Sequence, residues 1–446
     1  MRKHRTALAL AAAGIAASVT LLGGAFSGSP KANPLAVLAA NAVGSPEQRA
    51  LGRLLAGLST GNTAGYVRRL EQRVARRPDD ADTLAVLGLA YQQRARETGD
   101  PTFYRLSGAA LHRADAAHGS PALIVQGEAS LANTRHQFRE GLRLARRAVR
   151  LDPNNGAAYG ALGDALLNLG RYRQAFRVYD RMALLAPGIA SFTRVANARE
   201  LLGRRSAAAD ADELALEAGS TVPENVAWAT VQLGNVYFNE GRLLSAARAY
   251  RRALRRLPGY VHAEAGLARI EASEGRYGRA AARLRRVVDE LPIPAYVILL
   301  GDTLHAAGRE SAARREYALV GAIERLFAAN GVRTELQTAI FDLDHDRHVA
   351  DALRRARTAY QSAPSIYAED ALAWGLFRAG RCVQARAHSA HALRLGTRDA
   401  LLVFHRAMIE RCLGRREAAA AFFRRALALN PHFSILWAPV ARRALR

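Results

Sequence analysis

The chain has 446 residues, half of them apolar, and a formal net charge of +25. This length excludes one compact hydrophobic core, but not an array of units that each contact only their neighbours. No basic tail and no aromatic-interleaved basic motif accompanies the charge, so we expect no nucleic-acid partner.

The first 26 residues have the composition of an export signal. Basic residues cluster between Arg2 and Arg5, ahead of an uncharged stretch from Thr6 to Phe26. A basic start, an apolar core and small residues before Ala25 are typical of a secretory signal peptide. If residues 1–26 are not cleaved, the apolar run is long enough to anchor the chain in a membrane. In both cases the rest of the chain is expected to be extracytoplasmic, secreted or membrane-anchored. The alternative is an N-terminal helix of a cytoplasmic protein.

A linker and a cap precede the periodic part of the chain. Residues 27–65 are rich in Gly, Ser, Pro, Asn and Ala, which predicts a linker with one helix near Glu47–Leu58. Residues 66–80 resemble the second half of a helical hairpin that ends at Pro78, and we expect them to form an N-terminal capping helix.

Residues 226–292 contain two copies of a 34-residue pattern. In the first copy Gly234 and Ala246 are small enough for two helices to approach closely. Gly241 allows the positive φ that ends the first helix, and Pro258 ends the second. The second copy repeats the pattern 34 residues later, with Leu267, Ala268, Glu271, Gly275, Ala280, Leu284, Val287 and Pro292. Such a period indicates helical hairpins that stack and cover each other's apolar faces.

This pattern resembles the tetratricopeptide repeat, whose signature is Leu-Gly, then Tyr, then Ala, an aromatic residue, Ala and Pro. Copies in phase run from about residue 81 to residue 433, which makes about ten repeats. Residues 434–446 are expected to form a C-terminal capping helix. The resemblance implies an all-α, right-handed superhelical solenoid of stacked helix–turn–helix repeats, of the exported bacterial type.

The resemblance also implies a binding groove along the first helices of the repeats. Transferring the family's ligand positions onto this chain selects Asn168, Asn197, Glu200, Trp228, Asn235, Asn239, Arg269, Asp302 and His305. Asn197 and Asn235 occupy the same position in successive repeats, and the resemblance implies that they bond the backbone of an extended peptide. The lysines of carboxylate-binding members are missing, so we do not expect capture of a C terminus. Ordinary polar side chains of a groove are the alternative interpretation.

One cluster of acidic and histidine residues raises a different function. It consists of Asp342, Asp344, His345, Asp346, His348 and Asp351. These residue types suit a divalent metal, so a metal-dependent enzyme or metal-binding protein centred on residues 342–348 is one alternative. A polar turn whose aspartates cap the next helix explains the cluster equally well. No nucleophile elbow, phosphate loop or zinc-protease helix occurs, so we expect no enzyme, no cofactor and no metal site.

Cys382 and Cys412 are the only cysteines. In repeat phase the turns that carry them stack side by side, which favours a disulfide over two buried thiols in an exported protein. The arginines are spread over the second helices as solvated faces. Electrostatic binding to anionic cell-envelope polymers through these faces is the other alternative. The interpretation that we favour is a non-enzymatic exported scaffold that binds a peptide or protein partner in its groove.

Overall fold

The computed structural model describes residues 46–59, 61–220 and 222–446, and this part of the chain is all-α. The signal segment 1–26 and most of the linker 27–65 lie outside the described residues. The described residues form 23 α-helices and no strand. The helices are α1 (Pro46–Ala56), α2 (Thr63–Arg76), α3 (Ala81–Thr98), α4 (Thr102–Ala116), α5 (Pro121–Thr134), α6 (Phe138–Leu151), α7 (Gly156–Asn168), α8 (Tyr172–Leu185), α9 (Ile189–Leu201), α10 (Arg205–Ala218), α11 (Pro223–Asn239), α12 (Leu243–Arg256), α13 (Val261–Ser273), α14 (Tyr277–Glu290), α15 (Pro294–Ala306), α16 (Glu310–Ala329), α17 (Glu335–Asp344), α18 (Val349–Ser362), α19 (Ile366–Arg378), α20 (Cys382–Ala392), α21 (Ala400–Cys412), α22 (Arg416–Leu429) and α23 (Trp437–Arg443).

From α3 onward the helices pair into ten hairpins, repeat 1 (α3 and α4) to repeat 10 (α21 and α22). Consecutive helices pack against each other along the chain, and the first helices of neighbouring repeats also contact each other. Because an array curves toward its most closely spaced helices, the first helices form the inner face. The all-α solenoid that the 34-residue period predicts is confirmed.

Helix α12 shows how the sequence produces one such unit. Ala246, Ala249, Tyr250 and Ala253 are buried, whereas the arginines between them are exposed. The buried positions follow helical spacing, so α12 has one apolar face and one solvated face. In the turn before it, Gly241 (φ 74°) follows the end of α11 in a left-handed conformation.

A glycine in the first helix faces a tyrosine in the second in three of the repeats. A Cβ atom on Gly234 would lie 2.5 Å from Cε1 of Tyr250, whose side chain is fully buried. The same contact recurs between Gly163 and Tyr179, and between Gly301 and Tyr317. Glycine is therefore required at these positions by the space that the tyrosine ring fills.

Loops of early repeats contact loops that lie about six repeats later in the chain. We call the loop inside a repeat its hairpin turn, and the loop that leads to the next repeat a junction. The backbone N–H of Arg333 donates to the carbonyl oxygen of Arg135 at 3.1 Å, so the turn of repeat 2 lies against the junction before repeat 8. Arg139, at the start of α6, donates to the carbonyl oxygen of Gln361 at 2.9 Å.

The contact continues at the next three turns. The N–H of Ile366 donates to the Tyr172 hydroxyl at 2.7 Å, beside the turn of repeat 3. Arg205 donates to the carbonyl oxygen of Arg398 at 3.1 Å, beside the turn of repeat 4. Asn430 donates to the carbonyl oxygen of Phe238 at 2.9 Å, beside the turn of repeat 5. Successive superhelical turns of this chain are thus joined turn to junction, and the buried carbonyl group of Phe238 is satisfied there.

Both ends of the array are covered by further helices. Helix α2 begins at Thr63, three residues earlier than the predicted cap 66–80, because the Asn62 side chain accepts a hydrogen bond from the N–H of Gly65. At the other end α23 is shorter than the predicted 434–446. The Trp437 ring stacks on Phe404 with ring centroids 5.7 Å apart. Among the described helices, none is both long and apolar enough to cross a membrane.

Candidate partner-binding surface

The inner face and the outer face of the array differ in charge. Acidic residues outnumber arginine on the first helices, whereas arginine outnumbers acidic residues on the second helices. The net positive charge of the chain therefore lies mainly on the outer face, in accordance with the solvated arginine faces that the sequence predicts. The inner face presents hydrogen-bonding groups on a more acidic background.

Asn235 is held in place by the tyrosine of its own repeat. The Tyr250 hydroxyl donates to Asn235 Oδ1 at 2.8 Å. The Asn235 amide nitrogen donates over a long 3.4 Å to Gln232 on the same helix. The carbonyl side of the amide is therefore used by the fold, while its N–H groups are weakly engaged. Such an amide is ready to donate to a main-chain carbonyl of a bound segment.

The same acceptor position holds an aspartate in two other repeats. The Tyr179 hydroxyl donates to Asp164 at 2.9 Å, and the Tyr317 hydroxyl donates to Asp302 at 2.8 Å. Asp302 also accepts from Nε2 of His345 at 2.7 Å, which ties repeat 7 to repeat 8. Asp302, a predicted groove residue, is thus held in the fold by two contacts to its Oδ1 atom.

Two of the predicted residues bind each other across neighbouring repeats. The Asn239 amide donates to Glu200 Oε1 at 2.9 Å and so joins α11 to α9. Burial, and to a smaller extent the Asp399 carboxylate, raises the pKa of Glu200 despite this hydrogen bond. Asn197 lies one helical turn before Glu200 and is half-buried. It makes no side-chain hydrogen bond within the described residues.

The remaining predicted residues divide between the inner face and separate local contacts. Arg269, on the first helix of repeat 6, lies over the Phe238 ring, 3.8 Å from its centroid. Trp228 packs against the apolar cluster of repeat 5. Asn168, by contrast, donates to a carbonyl of its own helix, and His305 pairs with Glu310 at 2.8 Å. Repeats 4 to 6 therefore contain most of the predicted groove in one region.

The start of repeat 5 is partly occupied by the chain itself. Arg96, at the end of α3, pairs with Glu224 at 2.7 Å, and the Tyr260 hydroxyl donates to the same carboxylate at 2.9 Å. The side chains of Arg96 and Glu224 are largely buried. Repeat 1 thus closes one end of the inner face of repeats 5 and 6.

The acidic and histidine residues 342–351 do not converge. Asp342 faces Arg355 at 3.3 Å, and Asp346 pairs with Arg378 at 2.7 Å. His345 bonds Asp302 on another repeat, as described above. No group of three or more His, Cys, Asp or Glu side chains in the described part of the chain is arranged to hold a metal ion. Asp346 lies in the turn, but no aspartate caps the next helix as the polar-turn interpretation expected, because the N-cap of α18 is His348 and has no side-chain capping hydrogen bond.

An aromatic and acidic cluster that sequence reasoning missed lies at the end of the inner face. Asp344 Oδ1 accepts from the indole N–H of Trp374 at 3.0 Å and from that of Trp437 at 3.1 Å. The buried His405 stacks on Trp374 with ring centroids 4.1 Å apart, and its Nδ1 lies 2.7 Å from Asp370 Oδ2. Two of the three tryptophans of the chain, Trp374 and Trp437, meet here. The rarity of tryptophan in the sequence is the signal that could have pointed to this cluster.

The structure joins Cys382 and Cys412 by a disulfide, with Cα atoms 6.2 Å apart. Cys382 is the first residue of α20, and Cys412 is the last residue of α21. The bond links the second helix of repeat 9 to the first helix of repeat 10. It therefore ties neighbouring hairpins together near their turns.

Comparison with known proteins gives matches to one family over two parts of the chain, and structures that are similar. Two models of the tetratricopeptide repeat match the chain, one at residues 134–202 and one at residues 402–433. A search of curated proteins finds no match. The crystal structure of MamA protein is similar, with 20% identity, 38% of this chain and 92% of that chain covered, and a TM-score of 0.29. The crystal structure of the APC/C hetero-tetramer Cut9-Hcn1 is also similar, with 12% identity, 92% of each chain covered, and a TM-score of 0.37.

Proposed function

Because the chain is a tetratricopeptide repeat protein, we propose that it is a non-enzymatic scaffold that binds a peptide or protein partner along the inner face of repeats 4 to 6. Stacked repeats of this kind offer extended concave surfaces for partners. The proposal therefore concerns which part of that surface binds and what it binds.

The observation that carries the proposal is the state of the Asn235 amide. Its oxygen accepts from Tyr250 at 2.8 Å, and its nitrogen makes only a 3.4 Å contact within the described residues. Asn197, at the equivalent position one repeat earlier, makes no side-chain hydrogen bond there. Two amides of this kind in successive repeats fit donation to the carbonyls of an extended segment.

We place this activity outside the cytoplasm. The support is the basic start and uncharged stretch of residues 1–26, together with the disulfide between Cys382 and Cys412. Fractionation of the native cells, with mass spectrometry of the N terminus, tests this part. Recovery of the full chain from the cytoplasm alone would contradict it. A partner that is membrane-bound or secreted follows from this location.

The test of the binding site is a crosslinking pull-down from the native cell envelope, followed by affinity measurement with the partner recovered. The variants are Asn197→Ala and Asn235→Asp. An aspartate at 235 keeps the acceptor for Tyr250, as Asp164 and Asp302 do in their repeats, but removes the amide donor. We expect each variant to weaken binding about fivefold, the loss of roughly 1 kcal/mol for one hydrogen bond. Both are expected to unfold at the same temperature as the unaltered protein.

Gln72→Ala is the matched control, because the Gln72 amide is exposed on the capping helix α2. It should leave binding unchanged. Binding that falls steeply with salt and ignores both inner-face variants would instead favour the arginines of the outer face. That result would reject the inner face as the partner site.

A further inference from the structure

The hairpin turns of this chain differ in whether anything lies against them. A Cβ atom on Gly203 would lie 2.6 Å from the carbonyl oxygen of Gly396, and one on Gly241 would lie 3.1 Å from Cδ of Pro431. A Cβ on Gly170 would overlap the carbonyl of Pro364. At the later turns a Cβ would meet nothing within 4 Å, namely at Gly275, Gly308, Gly380 and Gly414. The turns of repeats 3 to 5 are thus covered by junctions, and those of repeats 6, 7, 9 and 10 are open.

The open turns have the sequence of the covered ones. A Gly-Arg pair forms the covered turns at Gly170, Gly203 and Gly241, and it recurs at all four open turns. At the covered turn of repeat 4, Arg205, which directly follows the Gly-Arg pair, donates to the junction carbonyl of Arg398. Arg309 and Arg381 are the exposed arginines of two open turns. The open turn of repeat 10 has an arginine at the position of Arg205, the exposed Arg416, and a Cβ atom on its Gly414 would meet nothing within 4 Å.

At the opposite edge of the array, some junctions have no hairpin turn lying against them. Inside the chain each turn meets the junction before the repeat six further on, so the junctions after repeats 2 and 3, residues 152–155 and 186–188, come too early in the chain to meet a turn of their own molecule. The dipeptide Asp152-Pro153 is similar in sequence to Asn430-Pro431, which belongs to the junction that covers Gly241. Pro153, Asn154 and Pro187 are exposed. The acidic Asp152 is complementary in charge to the arginines of the open turns.

Large apolar side chains are exposed on both of these edges. Leu151 is 46% exposed and Leu184 is 77% exposed, directly before the two open junctions. Val383 is 77% exposed, directly after the open turn of repeat 9. Exposed apolar side chains beside an open turn and beside open junctions give both edges an apolar contact area.

We propose that the protein associates head to tail with further copies of itself. The open turns of repeats 9 and 10 of one copy seat on the junctions after repeats 2 and 3 of the next copy, so that a turn-to-junction contact like the one inside the chain forms between chains. Because the two edges are different surfaces, the contact is heterologous and does not close after two copies. It uses the edges of the array and leaves the inner face free, so it does not rest on the proposed partner site.

Sedimentation velocity of the purified full chain over a wide range of concentrations tests the proposal. The average mass should rise steadily from the monomer value of 48.2 kDa and pass beyond two copies without a plateau. Val383→Asp should remove the turn edge, and Leu184→Asp should remove the junction edge. Each variant alone should remain monomeric. An equimolar mixture should form a dimer and nothing larger, since only one pair of intact edges remains.

Leu244→Asp is the matched control. Leu244 is 78% exposed, but it follows the covered turn of repeat 5. This variant should associate as the unaltered protein does, and circular dichroism should show the same helix content for all three variants. A monomer at every concentration, a plateau at two copies, or association that survives both edge variants would each overturn the proposal.

Discussion

The Tyr250 hydroxyl donates to Asn235 at 2.8 Å while the same ring packs against Gly234. One tyrosine of the second helix thus fills the space over a glycine of the first helix and fixes the next side chain on the inner face. The arrangement recurs between Tyr179 and Asp164, and between Tyr317 and Asp302. Packing between the helices and orientation of the inner-face side chain are therefore set by one contact.

Gly234→Ala tests the packing half of this contact. The new Cβ would lie 2.5 Å from a fully buried ring, so the ring or the helix must move. We expect the variant to lose about 1–3 kcal/mol of unfolding free energy, as overpacked cores do. Gly278→Ala is the control, because Gly278 lies in α14 with nothing within 4 Å of its Cβ position. It should gain about 0.5–1 kcal/mol from helix propensity. Urea unfolding measures both, and a gain at position 234 would contradict the contact.

A second matched pair tests the contact between turns and junctions. Gly203 (φ 69°) and Gly308 (φ 73°) have almost the same left-handed backbone. Alanine at either position therefore carries the same conformational cost, about 1–2 kcal/mol. At Gly203 the Cβ would in addition lie 2.6 Å from the carbonyl oxygen of Gly396, whereas at Gly308 it meets nothing. We expect Gly203→Ala to lower the melting temperature clearly more than Gly308→Ala. Equal losses would mean that the turn-to-junction contact contributes nothing to stability.

The period of the sequence predicted the hairpins, and the structure confirms the all-α array that it implies. Helical spacing and small residues determine the packing of helices that follow each other in the sequence, so a short stretch of sequence is enough to predict that packing. The contact between Arg139 and Gln361 could not be predicted in this way. It depends on how far the array rotates per repeat, and that rotation accumulates from small packing differences at every interface.

The inner face was predicted by position, but the engagement of its side chains was not. Counting repeat positions selected Asp302 and Asn235 together, although Asp302 is held by Tyr317 and His345 while Asn235 keeps a weakly engaged amide. The residue at a position can be read from the pattern. Whether a neighbour already uses its hydrogen bonds depends on side chains one or two repeats away, such as His345, which directly follows α17.

Removal of the disulfide should lower stability without changing the fold. Cys382 and Cys412 are 30 residues apart, and closing a loop of that length stabilises by about 3–4 kcal/mol in the chain-entropy model. We expect the double variant Cys382→Ala, Cys412→Ala to lose an amount of this order in urea unfolding. A reductant should bring the unaltered protein to the same midpoint and leave the double variant unchanged. A reductant that changes the midpoint of both proteins equally would contradict the assignment.

The buried His405 should make stability depend on pH above neutrality. Burial alone would lower the pKa of His405, but the Asp370 carboxylate, helped by Asp344 and Asp399, outweighs it and raises the pKa above its ordinary value. The protonated ring is therefore favoured in the folded state. Its contribution to the unfolding free energy is complete below the unfolded pKa of about 6.5 and is lost as the pH rises through the folded pKa. We expect His405→Gln to flatten the decline of the unfolding free energy above about pH 6.5.

Two comparisons make the histidine test specific. Burial lowers the pKa of His262 to about 4, so this group acts in the opposite direction and weakens the fold as the pH falls from about 6.5 toward 4. His262→Gln should therefore flatten the acid side of the same profile and leave the alkaline side unchanged. His112→Gln, an exposed side chain on α4, should alter neither side. Unfolding in urea at a series of pH values measures all three variants. If His405→Gln left the alkaline decline as steep as before, the ion pair with Asp370 would not be what holds this ring charged.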